Sequence, residues 1–184
     1  MLPEVAVIYG ETTVELRFFE IYRSSEYLLL LAEGILTSAA LTVSAGIMGF
    51  VLAILLASAR HHRWPVLGQL SATFIEFVRN TPLIVQLFFV AFGLPLLLGY
   101  QWAFWAHALL ALIINFSAYF AEILRSGFLS VPAGQLEAAK TLGIPRFIAF
   151  WKILLPQAVA TMYPSLSSQF IFLFLTTGVI AEIG

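Results

Sequence analysis

Few side chains in this sequence are equipped for chemistry, and their spacing limits what they could do. His61 and His62 are adjacent. A helix that holds zinc for hydrolysis places its two histidines one turn apart with a glutamate beside the first, so this pair reads as a basic flank. Glu122 and Arg125 lie one helical turn apart. That spacing suits an ion pair or snorkelling at a membrane boundary rather than a proton relay. Gln86, Asn115 and Ser117 are neutral hydrogen-bonding residues inside apolar stretches. Such groups either line a water-filled path or join helices to one another, and the sequence leaves both roles open. His107 sits near the start of its stretch, within reach of interfacial water. There is no cysteine, which removes disulfides, thiolate metal sites and cysteine nucleophiles. The chain also lacks the GxxxxGK[ST] loop that cradles nucleotide phosphates. No catalytic residue, metal site or cofactor is implied, and an intramembrane enzyme is disfavoured.

The elements that carry these residues follow from composition. Of 184 residues, 61% are hydrophobic and only 10% charged, against about 25% charged in a soluble domain. That is too little polar surface to face water all round, so the expectation is an all-α membrane protein. Net charge is −1 and no basic stripe stands out, so no nucleic-acid partner is expected. Four apolar stretches appear, at about 35–59, 82–98, 102–121 and 165–181. A helix of ~18 residues is roughly 27 Å long, close to the hydrocarbon thickness of a bilayer, so each is long enough to span. In the first, Ala45, Gly49, Ala53 and Ala57 recur every fourth residue, a strip that lets helices approach closely. Thr81 and Pro82 open the second, as a cap followed by a first-turn proline.

Seven of the nine Lys and Arg residues lie in two segments: Arg60, Arg63 and Arg79 between the first two stretches, and Arg125, Lys140, Arg146 and Lys152 between the last two. The positive-inside rule puts both segments in the cytoplasm. The N-terminus is then outside, and residues 1–27, with five glutamates, read as an acidic external or interfacial segment. The membrane-spanning domain would occupy 28–184.

Residues 125–152 are too long for a simple turn. Val131-Pro132 and Gly134 mark a start, and 135–142 are good helix formers. Gly143 and then Pro145 form a helix stop. A second helix begins at Pro145 and climbs back to the membrane. Ala138 and Ala139 offer a small flat surface beside Glu137 and Lys140. So short a helix is unstable alone in water and needs a dock, which the sequence places on another protein.

Glu137-Ala138-Ala139, three residues, Gly143, nine residues, Ile153, one residue, then Leu155-Pro156 resembles the EAA loop of bacterial ABC importer permeases. "FVRNTPLIVQLFFVAFGLP" and "GFLSVPAGQLEAAKTLG" resemble the branch that takes up polar amino acids. The resemblance implies a multi-span bundle of the type I ABC importer permease kind in a bacterial inner membrane, with about four spans here and a fifth expected after them. It implies that 135–142 is a coupling helix seated on a cytoplasmic ATPase subunit, with Glu137, Ala138, Ala139 and Gly143 at the contact. It further implies a second permease, an external solute-binding protein and an amino acid substrate as partners, besides membrane lipid. The family often has a Lys and a Thr-Ser pair near the end of the fourth span. This chain has Leu175, Thr177 and Gly178 there, so no role of that Lys carries over. The competing expectation is a passive channel or membrane scaffold, which would have no need of a docking helix with a glycine corner.

Overall fold

The structure is a computed structural model that describes residues 6–9, 12–15 and 25–181. It divides into two units, Met1–Ser38 and Ala39–Gly184. The first contains an antiparallel hairpin of β1 (Ala6–Tyr9) and β2 (Thr12–Glu15), in register from Ala6 opposite Glu15 to Tyr9 opposite Thr12. Val7, Ile8, Thr12, Thr13 and Val14 are β-branched, which favours extended backbone. This hairpin is an addition to the helical architecture expected from the sequence. The remainder of the acidic N-terminal segment, residues 1–5, 10–11 and 16–24, lies outside the described residues.

The body of the molecule is helical. In chain order it comprises α1 (Ser25–His61), α2 (Pro65–Arg79), α3 (Leu83–Phe88), α4 (Leu94–Leu98), α5 (Phe104–Ser130), α6 (Ala133–Thr141), α7 (Arg146–Ala149), α8 (Leu155–Thr161) and α9 (Tyr163–Ala181). Helices α1 and α5 are each long and apolar enough to cross a membrane. Among the described residues, the pairs α2 with α3–α4, bent by 106°, and α7–α8 with α9, bent by 68°, raise the number of spans to as many as four if each pair counts as one.

Helix α5 is the hub. Leu112, Phe116, Phe120 and Leu124 are fully buried, surrounded by Ile75 of α2, Leu87 of α3 and Leu173 of α9. The small strip on α1 is buried as its spacing suggests, while Val43, Ile47, Val51 and Leu55 are exposed. A Cβ added at Gly49 would stand 3.5 Å from the Ser117 amide nitrogen and 3.6 Å from the Ile113 carbonyl. The strip therefore brings the α1 backbone directly against α5. Much of the outside is apolar, including Leu96, Leu97 and Leu98 at the tip of α4. Only lipid or another subunit can cover such a surface.

Three boundaries differ from the sequence expectation. Residues 65–79 form a helix where only a basic inner segment was expected. Pro65 starts it, and Ser71, Ile75 and Val78 turn one face into the bundle. Helix α5 continues to Ser130 instead of ending near 121, because Glu122 and Arg125 satisfy each other and Arg60. Thr81 does not cap α3. Its hydroxyl donates back to the Phe77 carbonyl at 2.8 Å, and Pro82 is the capping residue.

Two π-helical turns, Phe89–Gly93 and Phe150–Leu154, share one cause. Each is followed two residues later by a proline, Pro95 or Pro156. Proline has no N–H to donate and its ring crowds the carbonyl four residues back. Widening the preceding turn relieves both. The Leu94 amide then reaches the Phe89 carbonyl, and the Leu155 amide the Phe150 carbonyl, each five residues back.

Candidate coupling site and polar core

The segment from 131 to 156 forms a helix, a corner and a return. Val131 is extended, with φ −73° and ψ 127°, and Pro132 caps α6. At the other end the Gly143 amide donates to the Lys140 carbonyl at 3.0 Å, and the Ile144 amide to the Ala139 carbonyl at 2.9 Å. With Gly143 at φ +73°, this is the paired-bond glycine cap that ends many helices. Pro145 then prevents the helix from resuming and starts α7. The corner expected at Gly143 and Pro145 is thus formed by five residues, each with a defined backbone task.

The two alanines do not share a surface. Ala138 is exposed, whereas Ala139 is only 2% exposed and faces its own chain. They are consecutive on a helix, about 100° apart, so one packs inward when the other looks out. Leu136 joins the inner side, packed against the core. The seat of α6 is therefore the α7 segment and the π turn behind it, not solely another protein as the sequence suggested. Its outer side, with Gln135, Glu137, Ala138 and Lys140, is open. Glu137 and Lys140 border a cavity of 440 Å³ whose far wall includes His61, His62, Phe150 and Arg146.

The histidine pair has a structural role that its adjacency concealed. The His61 ring lies 5.3 Å from that of Phe128 near the end of α5, and His62 lies 5.6 Å from Phe150 in the π turn. Phe128 and Phe150 meet edge-on at 5.6 Å. The end of α1, the end of α5 and the start of the return helix are thereby joined directly behind α6. Beside this cluster, Arg60 Nη1 donates to Glu122 Oε2 at 2.9 Å, and Arg125 Nε donates to Glu122 Oε1 at 2.9 Å. The Glu122–Arg125 pair was legible from spacing. Arg60, 62 positions earlier, was not.

Gln86 and Asn115 come together in the interior. Gln86 Nε2 donates to the carbonyls of Val78 at 2.8 Å and Thr81 at 2.9 Å, and Asn115 Nδ2 donates to Gln86 Oε1 at 3.2 Å. One amide thus ties the end of α2, the start of α3 and the middle of α5. Ser117 is fully buried and donates to the Ile114 carbonyl at 2.9 Å, where the α1 backbone at Gly49 packs against α5. Each of the three residues has its hydrogen bond within the chain. His107 is 3% exposed and stacks beside Tyr100, 5.7 Å away. Among the described residues, no His, Asp or Glu cluster has metal-binding geometry.

Comparison with known proteins agrees with this architecture. Residues 49–184 match the family model described as the inner membrane component of binding-protein-dependent transport systems. A putative glutamine transport system permease of Rickettsia bellii is 32% identical over 167 residues, covering 91% of this chain and 77% of the relative. A probable glutamine ABC transporter permease of Bacillus subtilis is 37% identical over 154 residues, covering 84% and 70%. Among solved structures, an amino acid ABC transporter crystallised with histidines superposes with a TM-score of 0.80 at 30% identity, covering 93% of this chain and 78% of that one. The MetNI methionine transporter, at 20% identity and a TM-score of 0.74, shares the fold. This chain belongs to the family of inner-membrane components of binding-protein-dependent transport systems.

Proposed function

We propose that this chain is the membrane-spanning permease of an ATP-driven importer of polar amino acids, and that α6 is the helix through which a separate ATPase subunit moves it. The observation that carries the reading is the shape of α6. Its inner side rests on α7 and the π turn, its C-terminus is closed by the Gly143 cap, and its outer side is bare and polar. A helix held on one side only can pass a push on the other side into the bundle. The rings of His61, His62, Phe128 and Phe150 form a contact cluster that joins α1, α5 and the π turn. Movement of α6 would therefore reach α1 and α5 together.

Orientation follows from charge. Arg60 at the end of α1 and Arg125 near the end of α5 meet at Glu122, so the two basic segments belong at one face. The positive-inside rule makes that face cytoplasmic. The substrate class rests on the relatives, which are named for glutamine and other amino acids. The working unit would contain two permeases, two ATPase subunits and an external solute-binding protein. Gln86 and Asn115 link α3 to α5, Ser117 lies buried beside them on α5, and a route for a polar solute would pass next to these three.

The test is ATP-dependent uptake of radiolabelled amino acids into vesicles that hold the permease, its ATPase and its binding protein. Uptake that needs ATP and falls with Glu137→Ala or Gly143→Pro, at unchanged membrane insertion, supports the reading. Equal uptake without ATP overturns it.

A further inference from the structure

A second crevice opens between α1 and the return helix, sharing His62, Arg146 and Phe150 with the cavity beside α6. It has a volume of 550 Å³. One wall is the last part of α1, with Ile54, Leu55 and Ser58; the other is Phe147, Phe150 and Trp151. Arg146, His62 and Trp64 close its polar end. No carboxylate lines it. Ser58 spends its hydroxyl on the Ile54 carbonyl of its own helix, so it offers little to a ligand. Arg146 is exposed, and among the described residues no carboxylate forms an ion pair with it.

The crevice is therefore apolar along its length and cationic at one end. Its apolar floor continues into Val51 and Leu55, the exposed side of a membrane-crossing helix. Trp64 and Trp151, 49% and 41% exposed, flank the cationic end, and tryptophan is a residue type that anchors proteins at the membrane interface. An occupant must carry an anion at its head and hydrocarbon below it. We propose that this crevice binds an anionic phospholipid of the cytoplasmic leaflet, with the Arg146 guanidinium on the phosphate and an acyl chain along Ile54 and Leu55. The leaflet rests on the orientation inferred above; the chemistry does not. Guanidinium suits phosphate because its planar fork presents several donors at once. Because Arg146 opens α7, directly after the Gly143 corner, the lipid would brace the base of the coupling helix against α1.

The full chain contains four tryptophans. Replacing Trp102 and Trp105 with Phe leaves Trp64 and Trp151, both on this crevice, as the only tryptophans, and excitation at the red edge of the spectrum selects them over tyrosine. The variant is reconstituted in phosphatidylcholine vesicles in which a fixed fraction is exchanged for brominated phosphatidylglycerol or, separately, brominated phosphatidylcholine. The expected result is about fivefold preferential quenching by the anionic lipid, the gain that one basic side chain draws from an anionic leaflet. Arg146→Gln should bring the ratio close to one, and Arg146→Lys should retain most of it. Arg63→Gln, a neighbouring charge outside the crevice, should leave it unchanged. Equal quenching by both lipids, an equal loss in Arg63→Gln, or release by inorganic phosphate would overturn the proposal. So would loss of quenching when the ATPase subunit is added, which would assign the crevice to that protein. Uptake measured on parallel vesicles separates the two readings. Absent preference with ATP-driven uptake intact sinks only the lipid site, and preference without such uptake sinks only the transport reading.

Discussion

Gly143 is the residue at which side-chain chemistry matters least and backbone geometry most. A Cβ there would meet nothing within 4 Å, yet its φ is +73°. The cost of Gly143→Ala is therefore purely conformational, about 1–2 kcal/mol. We expect it to fray the end of α6 and lower transport and ATPase stimulation while insertion is unchanged; Gly143→Pro should abolish both. Matched insertion assays and uptake rates check this, and normal uptake by the proline variant would remove the corner from the mechanism. Gln86 and Asn115 call for a different measurement, since each is bonded inside the bundle. A double-mutant cycle with Gln86→Leu and Asn115→Leu, read from unfolding in mild detergent, should give a coupling of about 0.6 kcal/mol, the usual size for a hydrogen bond between membrane helices. A coupling near zero would mean that the 3.2 Å contact contributes no stability. The identity of these two residues as interior polar groups was plain in the sequence. Their partnership was not, because positions 29 apart carry no periodic signal linking them.

At the scale of elements, close approach replaces the hydrophobic effect, which does little between helices already surrounded by hydrocarbon. Gly127 shows how close. A Cβ at that position would sit 2.9 Å from the Ala158 carbonyl oxygen and 3.0 Å from the Ala158 Cβ. Both belong to α8, so Gly127→Leu must push α8 away from α5. We expect a loss of about 1–3 kcal/mol and a lower Tm, with Ser130, near the exposed end of α5, tolerant of the same change. An unchanged Tm for Gly127→Leu would refute the contact. The long apolar runs and the Gly143–Pro145 stop were legible because each is a local signal. Helix α2 was missed because Arg79 and Glu76 masked its inward positions Ser71, Ile75 and Val78, which carry an amphipathic pattern too short to stand out between two apolar runs. The inner seat of α6 was missed for another reason. Which of two adjacent alanines turns inward depends on where α7 folds back, a tertiary fact.

Across the whole molecule, Glu122 is the charge that fastens the base of α1 to α5. It is 22% exposed and accepts from both Arg60 and Arg125. Glu122→Gln would leave two arginines facing one neutral group. We expect a loss of about 1–2 kcal/mol, below the 3–5 kcal/mol of a fully buried pair because water reaches this one. Thermal unfolding at low and high salt checks it, with the difference from the parent chain shrinking as salt rises. A parent and variant of equal stability would show that the aromatic cluster alone holds these helices. Above this base, the helices have apolar side chains both in the core and on the exposed side, so their covering must come from lipid and from other subunits.

The central claim is that α6 touches the ATPase through its outer side, and the cysteine-free chain makes that directly measurable. A single Ala138→Cys, placed on the exposed side of α6, should form a cross-link to the ATPase subunit in native membranes. Leu96→Cys, 87% exposed near the Gly99 corner, should form none. A cross-link from Leu96→Cys as strong as that from Ala138→Cys, or none from Ala138→Cys in vesicles that perform ATP-driven uptake, would contradict the account.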